Sequence, residues 1–520
     1  MPNPPRSVRI LLTAEEAYPA LERAFLDAQS EIWASFLVFD LGTRLRSVEA
    51  LKIGKTWFDL IVHTLDRGVA LHITLGCVDP IARPAQNLHA NRQARQFSAA
   101  AAFAKPGAKL AVASLRHPAE TGALVRLMAW PYIMSKVFRL AGWLNKQDPA
   151  RRAAALRDME GALRHLRVRA NDTVAVRLFS LPRLFPAVHH QKLAVIDRSL
   201  LYIGGLDLDE RRYDTPTHGR TGNQTWHDVQ LMIQGPVVAE AQAHLECFRD
   251  VTEGRTDPPR TRRLLRTLSR PRTRSITHFG PFPVLAELRA AHVVLMRRAR
   301  QLIYLESQNF RDNGLAGELA DSARDNPDLR LILILPAAPE EVAFKGRHGL
   351  DSRFGEAMQA RALRTLRRGF GPRLFIGSPA QPRPALPAGS AGPAAHSDRH
   401  HGAPLVYVHA KVSIFDETSA IVSSANLNGR SLRWDTEAGV YLTAQNDVLE
   451  LRHRVMAHWL PDDAGPEAFA PATAEREWRR IAWRNAAAAP AQRRGFLLPH
   501  DFAAAESSGQ NLPDLPADLV

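Results

Sequence analysis

Val188-His-His-Gln-Lys-Leu-Ala-Val-Ile-Asp197 and Tyr407-Val-His-Ala-Lys-Val-Ser-Ile-Phe-Asp416 share one pattern, His-x-Lys-x4-Asp. Its members are His190, Lys192 and Asp197, then His409, Lys411 and Asp416. Each run reads as a strand, and alternation along it puts His and Lys on one face. Ordinary residue frequencies give one accidental match in roughly a few per cent of chains this long. The agreement continues: after six intervening residues the first copy reaches Gly204-Gly-Leu-Asp207 and the second Ser423-Ser-Ala-Asn426. Two accidental matches with the same downstream element would be very improbable.

The elements upstream also repeat. Ala14 to Gln29 has a helical pattern, Ile32 to Phe39 reads as a strand, Trp57 to Asp66 as a helix, and Arg67 to Leu75 as a buried strand bounded by Gly68 and Gly76. Val284 to Arg300, Leu302 to Glu306, Leu315 to Arg324 and Leu329 to Leu335 repeat that order. Strands alternating with helices predict an α/β fold of two pseudo-symmetric halves. Each is expected to be a mixed, mostly parallel sheet flanked by helices, with a single active site at the interface. The boundaries read as follows: a first half over 1–251 with an insertion at 78–180, a basic linker at 252–275, a second half over 276–485, and a poorly ordered tail at 486–520. Within the second half, the Pro-, Ala-, Gly- and His-rich stretch 378–404 reads as a flexible loop.

The duplicated motif resembles the signature of the phospholipase D superfamily, H-x-K-x4-D-x6-G-S-x-N, whose two-copy members build one site between halves. Gly204-Gly-Leu-Asp-Leu208, Arg211-Arg-Tyr-Asp214 and Trp226-His-Asp-Val229 look like its eukaryotic-type branch. Asn428-Gly-Arg-Ser431 is similar to the family's N-x-R-S, and Leu302-Ile-Tyr-Leu-Glu-Ser-Gln308 to its I-Y-I-E-N-Q, with Ser307 in place of Asn. The resemblance covers both halves but not 78–180, 378–404 or the tail. Gly205 and Asp207 depart from the signature in the first copy and Ser423 in the second, while every His, Lys and Asp is intact. Activity is therefore expected.

These residue types suit a phosphodiester. Lys192 and Lys411 can neutralise phosphoryl oxygens as charge builds, and Ser424 and Asn426 can donate hydrogen bonds to them. One neutral imidazole attacks phosphorus and the other, protonated, delivers a proton to the leaving alkoxide. Asp228 and Glu437 are the candidates for holding the two rings in different protonation states. By the resemblance, His190 is the nucleophile and His409 the acid, and Asp197 and Asp416 hold architecture more than they touch substrate. The candidate catalytic set is thus His190, Lys192, Asp197, His409, Lys411 and Asp416, with Asp207, Asp228, Ser424, Asn426 and Glu437 supporting it or contacting phosphate. The scheme calls for no cofactor and no metal. The resemblance implies hydrolysis of a glycerophospholipid to phosphatidic acid and headgroup through a phosphohistidine, with transphosphatidylation open to the same intermediate. Cardiolipin synthase-type transfer, a metal-independent nuclease and a non-catalytic membrane- or nucleic-acid-binding scaffold are the alternatives.

Composition sets outer bounds. The 520 residues are 45% hydrophobic and 23% charged, as in globular proteins, and the net charge of +15 suits an anionic partner without choosing lipid over nucleic acid. Cys77 and Cys247 read as free thiols. Neither a signal peptide nor a spanning helix is evident, so a cytoplasmic or peripheral membrane protein is expected. Leu124 to Trp143 is apolar, basic and Trp-bearing; it reads as a membrane-interface segment or as buried helices, with burial favoured. The Arg-rich run from Arg260 to Arg274 reads as a solvated charge run, His189 as a packing residue, and His396, His400 and His401 as no functional metal site.

Overall fold

Three residues, Asp197 to Ser199, separate the strands Leu193–Ile196 and Leu200–Gly204, and so short a turn forces an antiparallel hairpin. The same hairpin recurs as Val412–Phe415 and Ser419–Ser423. Two sheets grow from these hairpins in a computed structural model that describes residues 7–273, 275–340, 343, 350–385, 399–502, 516 and 518. The first sheet comprises β1 (Val8–Leu12), β2 (Glu31–Phe36), β3 (Ala70–Cys77), β4 (Leu110–Arg116), β5 (Leu193–Ile196), β6 (Leu200–Gly204) and β7 (Val229–Gln234), in the spatial order β1-β7-β6-β5-β2-β3-β4. The second comprises β8 (Leu264–Arg270), β9 (Phe282–Ala286), β10 (Leu302–Glu306), β11 (Arg330–Ile334), β12 (Leu374–Pro379), β13 (Val412–Phe415), β14 (Ser419–Ser423), β15 (Glu437–Leu442) and β16 (Leu497–Pro499). Its order is β9-β8-β15-β14-β13-β10-β11-β12-β16, which repeats the first sheet strand for strand and adds one edge strand at each end.

The two α/β halves expected from the repeat are present, with a difference in sheet sense. Among the described strands of the two sheets, β2–β3–β4 and β10–β11–β12, joined through helices, are parallel, and the other strand pairs are antiparallel. The His-x-Lys strands return by tight turns, which parallel pairing does not allow. Three boundary readings change as well. The insertion at 78–180 contributes β4 to the first sheet, the linker contributes β8, and the tail contributes β16. The linker's Arg266 is buried against Glu287, with Nε to Oε2 at 3.0 Å, so this part of the basic run is not solvated. Residues 386–398, which include His396 and the middle of the low-complexity loop, and most of the tail beyond 502 lie outside the described residues. His400 Nε2 donates to the Pro499 carbonyl at 3.0 Å.

The sheets pack face to face. Leu193, Val195, Ile203 and Leu231 join Val412, Ile414, Val422 and Val440 in one buried cluster between them. Alternation then turns Ala194, Ile196 and Tyr202 outward against helices α1 (Thr13–Asp27), α2 (Trp57–Asp66) and α3 (Pro84–Phe103). Leu305, Leu331 and Leu333 pack likewise against the helices Asn313–Asp325 and Leu350–Phe370. The result is four layers, helix–sheet–sheet–helix, with each His-x-Lys segment at the inner boundary.

Both motif aspartates sit at the hairpin turns, in the left-handed region at φ +49° for Asp197 and +53° for Asp416. Asp197 accepts from the amides of Gln29, Ser30 and Glu31 at 2.7, 2.8 and 3.0 Å, and Asp416 from those of Arg300, Gln301 and Leu302 at 2.8, 2.8 and 3.0 Å. Each carboxylate thus collects the backbone donors that precede the central strand. Asp416→Ala is expected to cost about 1–3 kcal/mol, from lost charge-assisted bonds and an unfavourable Ala at positive φ. Urea unfolding checks this, and Asp416→Asn should recover part of the loss because Asn tolerates that backbone region.

Candidate active site

Val188 to Lys192 leaves the first sheet before β5 begins and runs beside Thr436. The Thr436 amide donates to Val188 O and the His190 amide to Thr436 O, both at 2.9 Å. The second half answers in kind: the His227 amide donates to Tyr407 O and the His409 amide to His227 O, both at 2.8 Å. A carboxylate follows each bridging residue, Glu437 after Thr436 and Asp228 after His227. His190 Nδ1 therefore lies 3.0 and 3.1 Å from the two Glu437 oxygens, and His409 Nδ1 lies 2.6 Å from Asp228 Oδ2. Each imidazole is held by a carboxylate of the opposite half. With Nδ1 engaged, Nε2 is the nitrogen left for chemistry. A Cβ at Gly76 would stand 2.2 Å from the His189 carbonyl, so β3 can lie against this segment only where it lacks a side chain.

Buried charges crowd the site. Lys192 Nζ donates to His190 O at 2.6 Å and lies 3.5 Å from Asp207 Oδ2; Lys411 Nζ lies 2.9 Å from His409 Nδ1. Burial, reinforced by Lys192 for His190 and by Lys411 for His409, holds both imidazoles well below their ordinary range. Burial also draws the Lys411 ammonium down to about 7, with Asp228 opposing, and pushes Glu437 up to about 7 and Asp228 up to about 6. Asp207 moves the other way: it is buried, yet Lys192 and Arg212 hold it below the usual carboxylate range. Its Oδ1 takes the Leu37 and Val38 amides at 2.9 Å each, and Oδ2 pairs with Arg212.

A family model described as "Cardiolipin synthase, PLD-like domain" matches residues 293–459. Phospholipase D alpha 4 of Arabidopsis thaliana is 23% identical over 464 residues, covering 68% of this chain and 57% of that protein. Phospholipase D1 of Schizosaccharomyces pombe is 23% identical over 348 residues, covering 47% of this chain and 24% of that protein. These matches support the phospholipase D superfamily for this chain. It spans little more than half the length of the first of these relatives and about a quarter of the second. Among solved structures, phosphatidylserine synthase of Haemophilus influenzae aligns with a TM-score of 0.48 at 10% identity, covering 92% of this chain and 94% of that one.

The departures from the phospholipase D signature have local causes. In the second half Ser424 Oγ donates to Glu437 Oε2 and accepts the Ala438 amide at 3.1 Å. At the equivalent place in the first half, a Cβ on Gly205 would come within 2.2 Å of Asp228 Oδ1. The shorter carboxylate occupies the space that the serine fills in the other half. Ser424, expected to contact phosphate, is thus engaged with a carboxylate. Asn426 donates its amide to Gln308 Oε1 at 3.0 Å, and Gln308 in turn donates to the Tyr407 hydroxyl at 2.9 Å. Asp197 and Asp416 stand at the far ends of their strands, on backbone amides, and so leave the catalytic list.

Arg212 and Trp226 escaped the motif reading. The Arg212 guanidinium lies 5.2 Å from the Trp226 ring centroid, and that ring packs 4.5 Å from His409. The signal was present in Arg211-Arg-Tyr-Asp214 and Trp226-His-Asp-Val229, but only the fold carries these loops to His409. His189 packs as expected, with Nδ1 2.8 Å from Thr436 Oγ1 and its ring against Phe248. Among the described residues His218, His227 and His458 form a group of metal-ligand spacing. His218 there bonds to Asp214 at 2.7 Å and to His458 at 2.9 Å, and His227 stacks on His458. The cluster is a hydrogen-bonded seam between the halves. Cys77 and Cys247 are free thiols.

Proposed function

We propose that the protein is a phospholipase D-type phosphodiesterase that hydrolyses glycerophospholipids to phosphatidic acid and a free headgroup through a phosphohistidine. The observation that carries this reading is the reciprocal bonding of each motif histidine to a carboxylate of the opposite half, beside two buried lysines. In the proposed cycle His190 Nε2 attacks phosphorus and the bond from phosphorus to the headgroup oxygen breaks. His409 gives its proton to that oxygen. Lys192 and Lys411 balance the charge on the non-bridging oxygens. His409 then takes a proton from water as the water attacks the phosphohistidine, releasing phosphatidic acid. A bound phosphodiester would offset the lysine charge that adds to burial in lowering both imidazoles, which favours a proton on His409. Arg212, beside Asp207 and Trp226, is a third cation for the phosphate or headgroup. Arg212→Met is expected to raise KM about tenfold, a loss of the order seen for one charged contact, with kcat less affected.

Transfer to an alcohol in place of water is the second reading, favoured by the cardiolipin synthase description of the matching family. Choline or ethanolamine release from vesicles, run in EDTA beside plasmid nicking, tests the first reading. Added glycerol or phosphatidylglycerol reports transfer. Plasmid nicking without headgroup release would replace lipid by nucleic acid as substrate, and no turnover of any phosphodiester would favour the scaffold.

A further inference from the structure

The segment between β4 and the first motif carries a feature that the chemistry does not use. Helix α5 (Trp130–Asn145) buries Ile133, Met134, Val137, Leu140 and Leu144 in a small core of its own. Its other face exposes Tyr132, Phe138 and Trp143, so the sequence expectation of wholly buried helices holds for one face only. The preceding helix α4 (Ala123–Met128) has no buried residue, and its Met128 is 77% exposed. The loop that follows the antiparallel hairpin Leu166–Val168 and Val174–Val176 adds Leu178 and Phe179, the latter fully exposed. Ten of the eighteen large exposed apolar side chains among the described residues fall between Leu124 and Leu181, so they form a concentrated group instead of scatter. Trp130 Nε1 donates to Ser180 O at 3.2 Å, which ties the loop to α5.

The group is also cationic. Residues 121–147 contain Arg126, Lys136, Arg139 and Lys146 and no Asp or Glu. Aromatic and aliphatic side chains beside Lys and Arg, on a helix with one buried face, match the chemistry of an anionic lipid interface. A second copy of the chain fits less well, because like charges would meet. Nucleic acid fits less well, because exposed Leu, Met and Phe gain nothing on a phosphate backbone. The group is fastened beside the site. The amides of Thr121, Gly122 and Leu124 donate to Leu184, His278 and Ile276 at 2.9, 2.8 and 2.9 Å. Leu184 leads to His190 in six residues, and Gly280 lies against Trp434, three residues before Glu437.

We propose that α4, α5 and the loop 178–181 form a docking surface for an anionic phospholipid bilayer, holding the His190 side of the site at the lipid surface. This rests on the lipid reading of the site. Flotation of the full chain with phosphatidylcholine vesicles, with or without phosphatidylglycerol, tests it. Wild type is expected to float with the anionic vesicles. F138S/W143S should lower partitioning at least tenfold. R139E/K146E should remove the preference for anionic vesicles, at roughly fivefold or more per residue. Turnover of a monomeric, soluble phosphodiester should be unchanged in both variants, which also reports that they fold. Wild type that stays unbound, or variants that float as wild type does, would overturn the proposal. So would a dimer that F138S/W143S converts to monomer, or plasmid binding that the same variant abolishes. Vesicle binding without lipid turnover leaves docking intact and sinks the phospholipase reading; turnover of the soluble diester without vesicle binding sinks docking alone.

Discussion

His190→Ala is expected to lower headgroup release by at least about 10⁴-fold, the scale seen when a covalent nucleophile is removed from a site that acts as a unit. His409→Ala should lose roughly 10²–10⁴-fold, the value of one general acid–base group. The two losses differ in kind. A substrate whose leaving group needs no proton, such as a nitrophenyl ester, bypasses the acid in the first step. His409→Ala should therefore accumulate an acid-labile, base-stable phosphoenzyme on that substrate, because no base activates the water. His190→Ala should form none. Phosphopeptide mapping by mass spectrometry reads the label directly. A phosphoenzyme on His409 would exchange the two roles, and wild-type turnover in both variants would end the covalent scheme. The expectation follows from placement: each ring has Nδ1 tied to a carboxylate, which leaves Nε2 to face substrate.

Glu437→Gln should cost roughly 10²–10⁴-fold in kcat, because the amide cannot stabilise imidazolium at His190. It should also reshape the pH profile. Glu437 is pushed up to about 7 by burial, so in wild type the carboxylate forms, and activity rises, as pH climbs through about 7. Lys411, drawn down to about 7, loses its charge on the alkaline side, and activity falls there. A bell centred near neutral pH is expected, measured as kcat/KM on a soluble diester. In Glu437→Gln the rising limb should move toward about 6, where Asp228 ionises. Stability moves in the opposite sense to activity. The folded protein holds the Glu437 proton more tightly than the unfolded chain, whose ordinary value is 4.5. Stability from this group is full below about 4.5 and is lost as pH rises to about 7. The difference in Tm between Glu437→Gln and wild type should shift in favour of the variant across that window. A pH profile unchanged by the substitution would remove Glu437 from the site.

Much of the fold was legible because the repeat is written in local patterns. Helix α2 and strand β10 begin and end where periodicity puts them, at Trp57–Asp66 and Leu302–Glu306. What periodicity does not carry is pairing. β4, β8 and β16 read as parts of an insertion, a linker and a tail because β4 lies at a sheet edge, β8 falls in an Arg-rich run and β16 has three residues, and only hydrogen bonds to β3, β15 and β12 make them part of a sheet. The motif strands shortened for a related reason. Val188 to Lys192 precedes the apolar run Leu193–Ile196, and its backbone pairs with Thr436 of the other half.

The sequence by itself determined the candidate site residues: two His-x-Lys-x4-Asp copies at one offset name the imidazoles, the lysines and, from the family resemblance, the carboxylates. It also determined two similar α/β halves, since hydrophobic period and order are local properties. Tertiary structure alone decided that Glu437 serves His190 and Asp228 serves His409, and that Asp197 and Asp416 cap strands. It decided too that Ser424 engages a carboxylate where Gly205 must leave room for one. Those are contacts between residues up to 247 positions apart, and their geometry follows from how two sheets pack. No local pattern encodes the relative placement of two separately folded surfaces, so the pairing of rings with carboxylates waits for the packed core.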